Sequence, residues 1–144
     1  MTPVVIDASV AIKWFLPEIY YGEARQWRDG RQDLHVPACF FDLEIANILW
    51  KKVGRDEITR EEANLILVHL PSLPMSRHPE PALLGAAFDL ANRTQRTVYD
   101  CLYIALALEI GGQMVTADER LCNSLSQTSW APLVRWVGDL PAHD

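Results

Sequence analysis

The six residues Val4-Val5-Ile6-Asp7-Ala8-Ser9 constrain this chain more than any other stretch. Three consecutive apolar residues read as a short strand buried on both faces, the kind found inside a parallel sheet. An acid, a small residue and a hydroxyl follow. Then Val10, Ile12, Trp14 and Phe15 recur at helical spacing until Leu16-Pro17 ends the run. Asp7 therefore falls where a buried strand gives way to a helix, and in an open α/β sheet that is the edge where ligands bind.

The rest of the chain repeats this alternation. Residues 20–27 read as a helix charged through Glu23, Arg25 and Arg28 and stopped by Asp29-Gly30. Leu34-His35-Val36-Pro37 is a short buried strand. Residues 39–53 form a strong helix, apolar around most of its circumference, with Pro37 before it and Gly54 after it. Thr59 and Glu62 make a capping box for a helix over 60–70. Pro71 and Pro74 bracket a turn, with a strand over 73–77. Residues 79–92 form an Ala- and Leu-rich helix, and Thr97 begins the most apolar helix, 98–110, stopped by Gly111-Gly112. A strand over 113–116, a helix over 118–125 and a strand over 133–137 complete the order. Short buried strands alternating with helices predict an α/β fold, a parallel sheet covered by helices, in a single domain spanning 1–144.

Bulk properties narrow the function classes. Hydrophobic residues make up 49% and charged residues 22%, a globular composition. The longest apolar run, 101–108, is far short of the roughly 20 residues of a membrane span, and the N-terminal stretch lacks a basic-then-apolar leader. No membrane association and a cytoplasmic location are expected. Cys39, Cys101 and Cys122 sit among apolar neighbours without CxxC spacing, which predicts core thiols in a reducing compartment. The net charge of −6 argues against a nucleic-acid binder, less so if several acids are metal ligands whose sign a bound cation reverses, and it predicts weak nonspecific affinity.

Four acids stand where burial should exclude them. Asp7 ends a buried strand. Glu44 lies within a nearly all-apolar helix. Asp100 opens the most buried helix, and Asp118 follows Met114-Val115-Thr116 at another strand end. Each has a simpler role available: Asp7 and Asp118 as helix caps, Asp100 as the third residue of a capping box with Thr97, Glu44 on a solvent stripe with Asn47 and Lys51. All four nevertheless fall at one predicted edge, and isolated caps have no reason to choose it. Asp42, Glu57, Glu61, Glu62 and Asp89 lie on plainly polar faces. Clustered carboxylates repel and raise one another's pKa, and a hard dication relieves that repulsion. Mg²⁺ or Mn²⁺ suits such oxygen ligands; it can polarise a phosphoryl oxygen and lower the pKa of a bound water. Ser9 and Thr116, two residues from Asp7 and Asp118, are placed to hydrogen-bond a carboxylate or a metal-bound water.

The segments Val-Val-Ile-Asp7-Ala-Ser9, Glu44-Ile-Ala-Asn47-Ile-Leu, Tyr99-Asp100-Cys-Leu-Tyr-Ile-Ala-Leu-Ala and Met-Val-Thr116-Ala-Asp118 resemble the PIN-domain nucleases. The closest resemblance is to the VapC-type toxins of toxin–antitoxin pairs, and it extends over about residues 4–137. It implies a three-layer α/β/α fold with a central, mostly parallel sheet. It further implies Mg²⁺- or Mn²⁺-dependent endoribonuclease activity leaving a 5′-phosphate and a 3′-hydroxyl. Asp7, Glu44, Asp100 and Asp118 correspond to the family's four acids, and Asn47 to a polar residue one helical turn after the glutamate. Implied partners are a structured RNA such as tRNA or ribosomal RNA, a cognate antitoxin that covers the site, and a second copy in a homodimer. One position departs from the pattern: many relatives carry a further acid where this chain has Arg120.

Lys13, Lys51, Lys52, Arg93, Arg96 and Arg120 lie within reach of the acidic edge and are candidates for the RNA backbone, against the alternative of ordinary solvated charges. Trp14 and Trp50 are candidates for a partner surface, against plain core packing. His35, His69, His78 and His143 form no metal spacing and are assigned solvent or core roles. Two rival functions remain open: a phosphatase with Asp7 as phosphorylated nucleophile, which generally wants a second acid where this chain has Ser9, and a catalytically silent domain that binds RNA or a protein.

Overall fold

The computed structural model describes residues 2–30 and 33–140; His143 lies outside them. The strands β1 (Val4–Ile6), β2 (Leu34–Pro37), β3 (Ser76–His78), β4 (Gln113–Thr116) and β5 (Val134–Trp136) form one sheet in the order β3-β2-β1-β4-β5. Every adjacent pair is parallel, so the sheet is wholly parallel rather than mostly so. Among the described residues, seven α-helices connect and cover it: α1 (Ala8–Ala11), α2 (Tyr21–Arg28), α3 (Phe40–Gly54), α4 (Arg60–His69), α5 (Leu84–Thr94), α6 (Val98–Ile110) and α7 (Glu119–Leu125).

The central strands read as unbroken apolar runs because both of their faces are buried. Val4 and Ile6 pack with Trp27, Phe41, Ile45 and Leu49 under α1 to α4. Val5 points the other way, into a second core with Leu102, Leu106, Leu121 and Leu125 of α6 and α7. The three layers follow from that two-sided burial. The chain starts in the middle of the sheet, winds outward through β2 and β3, then returns to the other side of β1 for β4 and β5. Winding therefore reverses between β1 and β4, the point at whose carboxyl ends open α/β sheets bind ligands.

Several elements differ from their sequence expectations. The run after Asp7 is one turn of α-helix followed by a tighter 3₁₀ turn, Ile12–Trp14. The strand expected over 73–77 lies at Ser76–His78, because a 3₁₀ turn at Leu70–Ser72 and then Pro74 delay the extended segment. The helix expected over 79–92 begins as a 3₁₀ turn, Glu80–Leu83, with Pro81 in it, and runs on as α5 to Thr94. Cys39 is exposed rather than a core thiol, since it sits at the N-terminal boundary of α3; Cys101 is buried and Cys122 half-buried. Trp14 is buried, its indole N–H donating to the Ala24 carbonyl at 2.8 Å, so it presents no partner surface. Trp50 is 71% exposed.

The edge strand β3 is braced on both faces. The Arg77 Nη1 donates to both carboxylate oxygens of Asp42 at 3.0 Å, and its Nη2 to the Leu70 carbonyl at 3.0 Å. On the opposite face, His35 Nδ1 and His78 Nε2 share a hydrogen bond at 2.8 Å, with Asp33 on the far nitrogen of His35. Charge-assisted, partly buried bonds such as those of Arg77 contribute far more than an exposed i,i+4 pair such as Arg93–Asp89. Arg77→Ala is expected to lower unfolding free energy by ~2 kcal/mol and Arg93→Ala by under about 0.5, measured by urea denaturation. Equal effects would contradict this account of the edge.

Candidate active site

Asp7 and Asp118 follow the carboxyl ends of β1 and β4, and Glu44 and Asp100 lie near the starts of α3 and α6. Asp7 and Asp118 do cap the helices that follow them. The Asp7 Oδ1 accepts from the Ser9 N–H at 3.2 Å, and the Asp118 Oδ1 from Arg120 and Leu121 at 3.0 and 3.2 Å. Capping uses one oxygen of each carboxylate; the other accepts from Thr116 in Asp7 and stands 3.8 Å from Arg96 in Asp118. The cap and the site are therefore compatible roles of one side chain.

Thr116 ties the two strand ends together. Its hydroxyl donates to Asp7 Oδ2 at 2.6 Å and accepts from the Asp118 N–H at 3.1 Å. The Ser9 hydroxyl accepts from the Ala117 N–H at 3.0 Å and lies 3.5 Å from that of Thr116. A buried threonine at the last position of β4 thus sets the orientation of the acid that ends β1.

Glu44 and Asp100 come from opposite layers. Glu44, on α3, accepts a hydrogen bond from the hydroxyl of Tyr103 on α6. Asp100 sits in the first turn of α6, capped by Thr97, whose hydroxyl accepts from the Asp100 N–H at 3.1 Å. The Arg96 Nη2 donates to Asp100 Oδ2 at 3.1 Å and stands 3.8 Å from Asp118 Oδ2.

Burial and proximity act on these acids in one direction. Loss of water raises Asp7 above its ordinary pKa, and the Asp100 charge adds to that against the hydrogen bonds from Thr116 and Ser9. Burial, then the Asp7 charge, raise Glu44 to about 7, with Tyr103 pulling it down. Asp100 is raised first by burial, although Arg96 opposes the shift. Burial and the charges of Asp7 and Glu44 hold the Tyr103 phenol well above its usual value. The Asp100 charge acts on Asp7 and Glu44, the Asp7 charge on Glu44 and the Asp118 charge on Asp100, so the acids are linked pairwise by charge.

Residues 4–124 match the model of the PIN domain. The chain belongs to the PIN-domain family. It is similar to the ribonuclease VapC3 of Pyrobaculum aerophilum, with 35% identity covering 81% of this chain and 90% of that one. It is likewise similar to the ribonuclease VapC12 of Mycobacterium tuberculosis, with 33% identity covering 91% and 98%. These relatives place it on the VapC branch of the family. Two solved structures share the fold. Pyrobaculum aerophilum PAE2754 has a TM-score of 0.68 at 22% identity, covering 95% of this chain and 85% of that one. FitAB bound to an IR36 DNA fragment has 0.64 at 14% identity, covering 98% and 99%.

In this PIN domain the donor chemistry suits a hard dication: carboxylate oxygens, crowded enough to resist ionising, with hydroxyls behind them. Among the described residues, no three acids, histidines or cysteines close on one point as a loaded cage would. Mg²⁺ asks for less, because it commonly takes one or two carboxylates and keeps its waters. The residues fit the group on that basis, with side-chain closure still required.

The basic residues named from the sequence are placed unequally. Lys13 is buried and pairs with Glu18 at 3.6 Å, and Lys52 bonds the same Glu18 at 2.6 Å, so neither offers a free charge. Lys51, Arg93 and Arg120 are exposed, as is Asn47. Arg96 is engaged with the acids themselves. Two residues escaped the sequence reading. Tyr103 was hidden inside an apolar run, although its place three residues after Asp100 puts both on one helix face. Tyr99 is 63% exposed and stacks on Phe40, with ring centroids 5.2 Å apart and planes at 11°.

Glu44 ionises near pH 7 when folded and near 4.5 when unfolded, so between those values the folded state holds more protons. Its contribution to stability is therefore present at low pH and lost as pH rises through that window. Asp7 and Asp100 act in the same direction, while His78, lowered by burial and by His35, acts oppositely. Glu44→Gln is expected to stabilise the protein in EDTA at pH 8 and to have little effect at pH 4.5, measured as the difference from wild type in denaturant midpoint. A difference independent of pH would contradict the shift.

Proposed function

We propose that this chain is a divalent-metal-dependent endoribonuclease, the toxin of a toxin–antitoxin pair. One observation supports the reading: carboxylates from four separate elements are linked by charge, Glu44 with Asp7 and Asp100, Asp7 with Asp100 and Asp100 with Asp118, and three of them are held above their ordinary pKa. The names of its relatives, ribonucleases of the VapC type, point the same way. Asp7, Asp100 and Asp118 would hold Mg²⁺ or Mn²⁺, with Glu44 joining directly or through a water. When bound, the ion supplies a polarised phosphoryl oxygen and a water of lowered pKa.

The chain's own side chains do the rest. Thr116 fixes Asp7, and the Tyr103 hydroxyl fixes Glu44. Beside the ion, the Glu44 carboxylate would orient an attacking water and accept its proton. Beside it runs an open groove of about 440 Å³ lined by Phe40, Leu43, Asn47, Lys51 and Tyr99. Tyr99 presents an aromatic face for an unstacked base, and Lys51 a charge for the backbone. Single-stranded loops of a structured RNA, such as tRNA or ribosomal RNA, are the substrates that such a groove admits.

The antitoxin would dock on α3 and α4. Trp50, Leu65 and Val68 are exposed there, and a second groove of about 390 Å³ runs between the two helices beside Leu49, Ala63 and Leu67. A homodimer working in the cytoplasm completes the reading. No helix among the described residues is long and apolar enough to cross a membrane. The phosphatase reading generally wants a second acid two residues after Asp7, and this chain has Ser9 there. Asp7→Asn and Asp100→Asn are expected to keep the thermal unfolding transition while losing more than about 10²-fold in Mn²⁺-dependent cleavage of a mixed RNA pool. Wild-type rates in either variant, or cleavage that survives EDTA, would overturn the assignment.

A further inference from the structure

Arg96 is held in an unusual way for a structural arginine. It lies in the short turn between α5 and α6, where Gln95 takes a left-handed conformation and the Thr94 hydroxyl accepts from the Arg96 N–H at 3.2 Å. That turn aims the side chain back over the first turn of α6. One nitrogen, Nη2, then serves two carboxylates from different elements, Asp100 at 3.1 Å and Asp118 at 3.8 Å. The Nε is buried and has no hydrogen-bond partner among the described residues.

Arg77 shows what a permanent brace looks like in the same protein. Both of its terminal nitrogens are spent on Asp42 and on the carbonyls of Ala38 and Leu70. Arg96 instead stands between two acids as a point charge, with part of its donor fork wasted. A guanidinium in that position neutralises one of two carboxylates. A dication in the same gap neutralises both and needs no fork geometry. Released from the acids, the guanidinium keeps its affinity for phosphate oxygens.

We propose that Arg96 is the resident counter-cation of the Asp100–Asp118 pair, and that a divalent cation and this guanidinium exclude one another there. The pair is thereby kept from flying apart before loading, and loading frees a positive charge at the mouth of the site. This rests on the proposed metal-dependent reading. It adds a residue of the chain that competes with the metal instead of helping to bind it.

The test is Mn²⁺ binding by isothermal titration calorimetry on the full chain. Arg96→Met, which keeps the length and removes the charge, is expected to bind Mn²⁺ roughly fivefold or more tightly than wild type. Arg96→Lys, which keeps the charge, is expected to stay within about twofold of wild type. Unchanged or weaker binding by Arg96→Met, with saturable binding by wild type, would overturn the exchange and leave the metal-dependent reading standing. Absence of saturable binding in both proteins would overturn the two together. A second measurement needs no variant: the Arg96 Nε–H resonance of wild type should shift and lose exchange protection at saturating Mg²⁺. A resonance indifferent to Mg²⁺ would overturn the proposal.

Discussion

Mutual repulsion among carboxylates that the fold forces together is the interaction on which the site depends. Lost water holds Asp7, Glu44 and Asp100 above their ordinary pKa, and a neighbouring carboxylate adds to each, Asp100 on Asp7, Asp7 on Glu44 and Asp118 on Asp100. A cluster of this kind works against the folded state, and it is tolerated only because the surrounding scaffold over-determines it. The scaffold is the parallel sheet. Reversal of winding at β1 brings the ends of β1 and β4 side by side, and their backbones leave Asp7 and Asp118 no other place to stand.

The groups around the acids share one task, to hold charges that would otherwise separate. Thr116 spans the two strand ends, Tyr103 reaches from one helical layer to Glu44 on the other, and Arg96 bridges Asp100 and Asp118. The Thr116–Asp7, Tyr103–Glu44 and Arg96–Asp118 contacts each join elements distant in sequence. Loss of packing in either layer is therefore felt at the site, and a change of charge at the site is felt as stability. Fold and chemistry are coupled through these few contacts rather than through the apolar core alone.

Much of this was legible in the chain. Unbroken apolar strands such as Val4–Ile6 can only be central in a parallel sheet, and the caps Thr59, Thr97 and Asp118 mark their helices by residue type. The four acids stood out because burial was predicted around them. Acids assigned to polar faces also found ordinary partners, as Asp42 with Arg77 and Asp89 with Arg93. What was hidden depends on tertiary contact. Tyr103 reads as one more apolar helix residue until α3 is laid against α6. Lys13 reads as a surface charge until Glu18 folds over it. Cys39 looks like core because its neighbours are apolar, and only the position at the start of α3 exposes it. The start of β3 was blurred because Pro71 and Pro74 mark a turn without saying where extension resumes.

The central claim is that these acids form one cation-binding unit at the carboxyl ends of β1 and β4. Anomalous diffraction from crystals soaked in Mn²⁺ tests it most directly. The account predicts a single dominant peak among the side chains of Asp7, Asp100 and Asp118, with Arg96 swung away from the pair. Ordered crystals with no peak at that edge, or with the dominant peak elsewhere on the molecule, would contradict it.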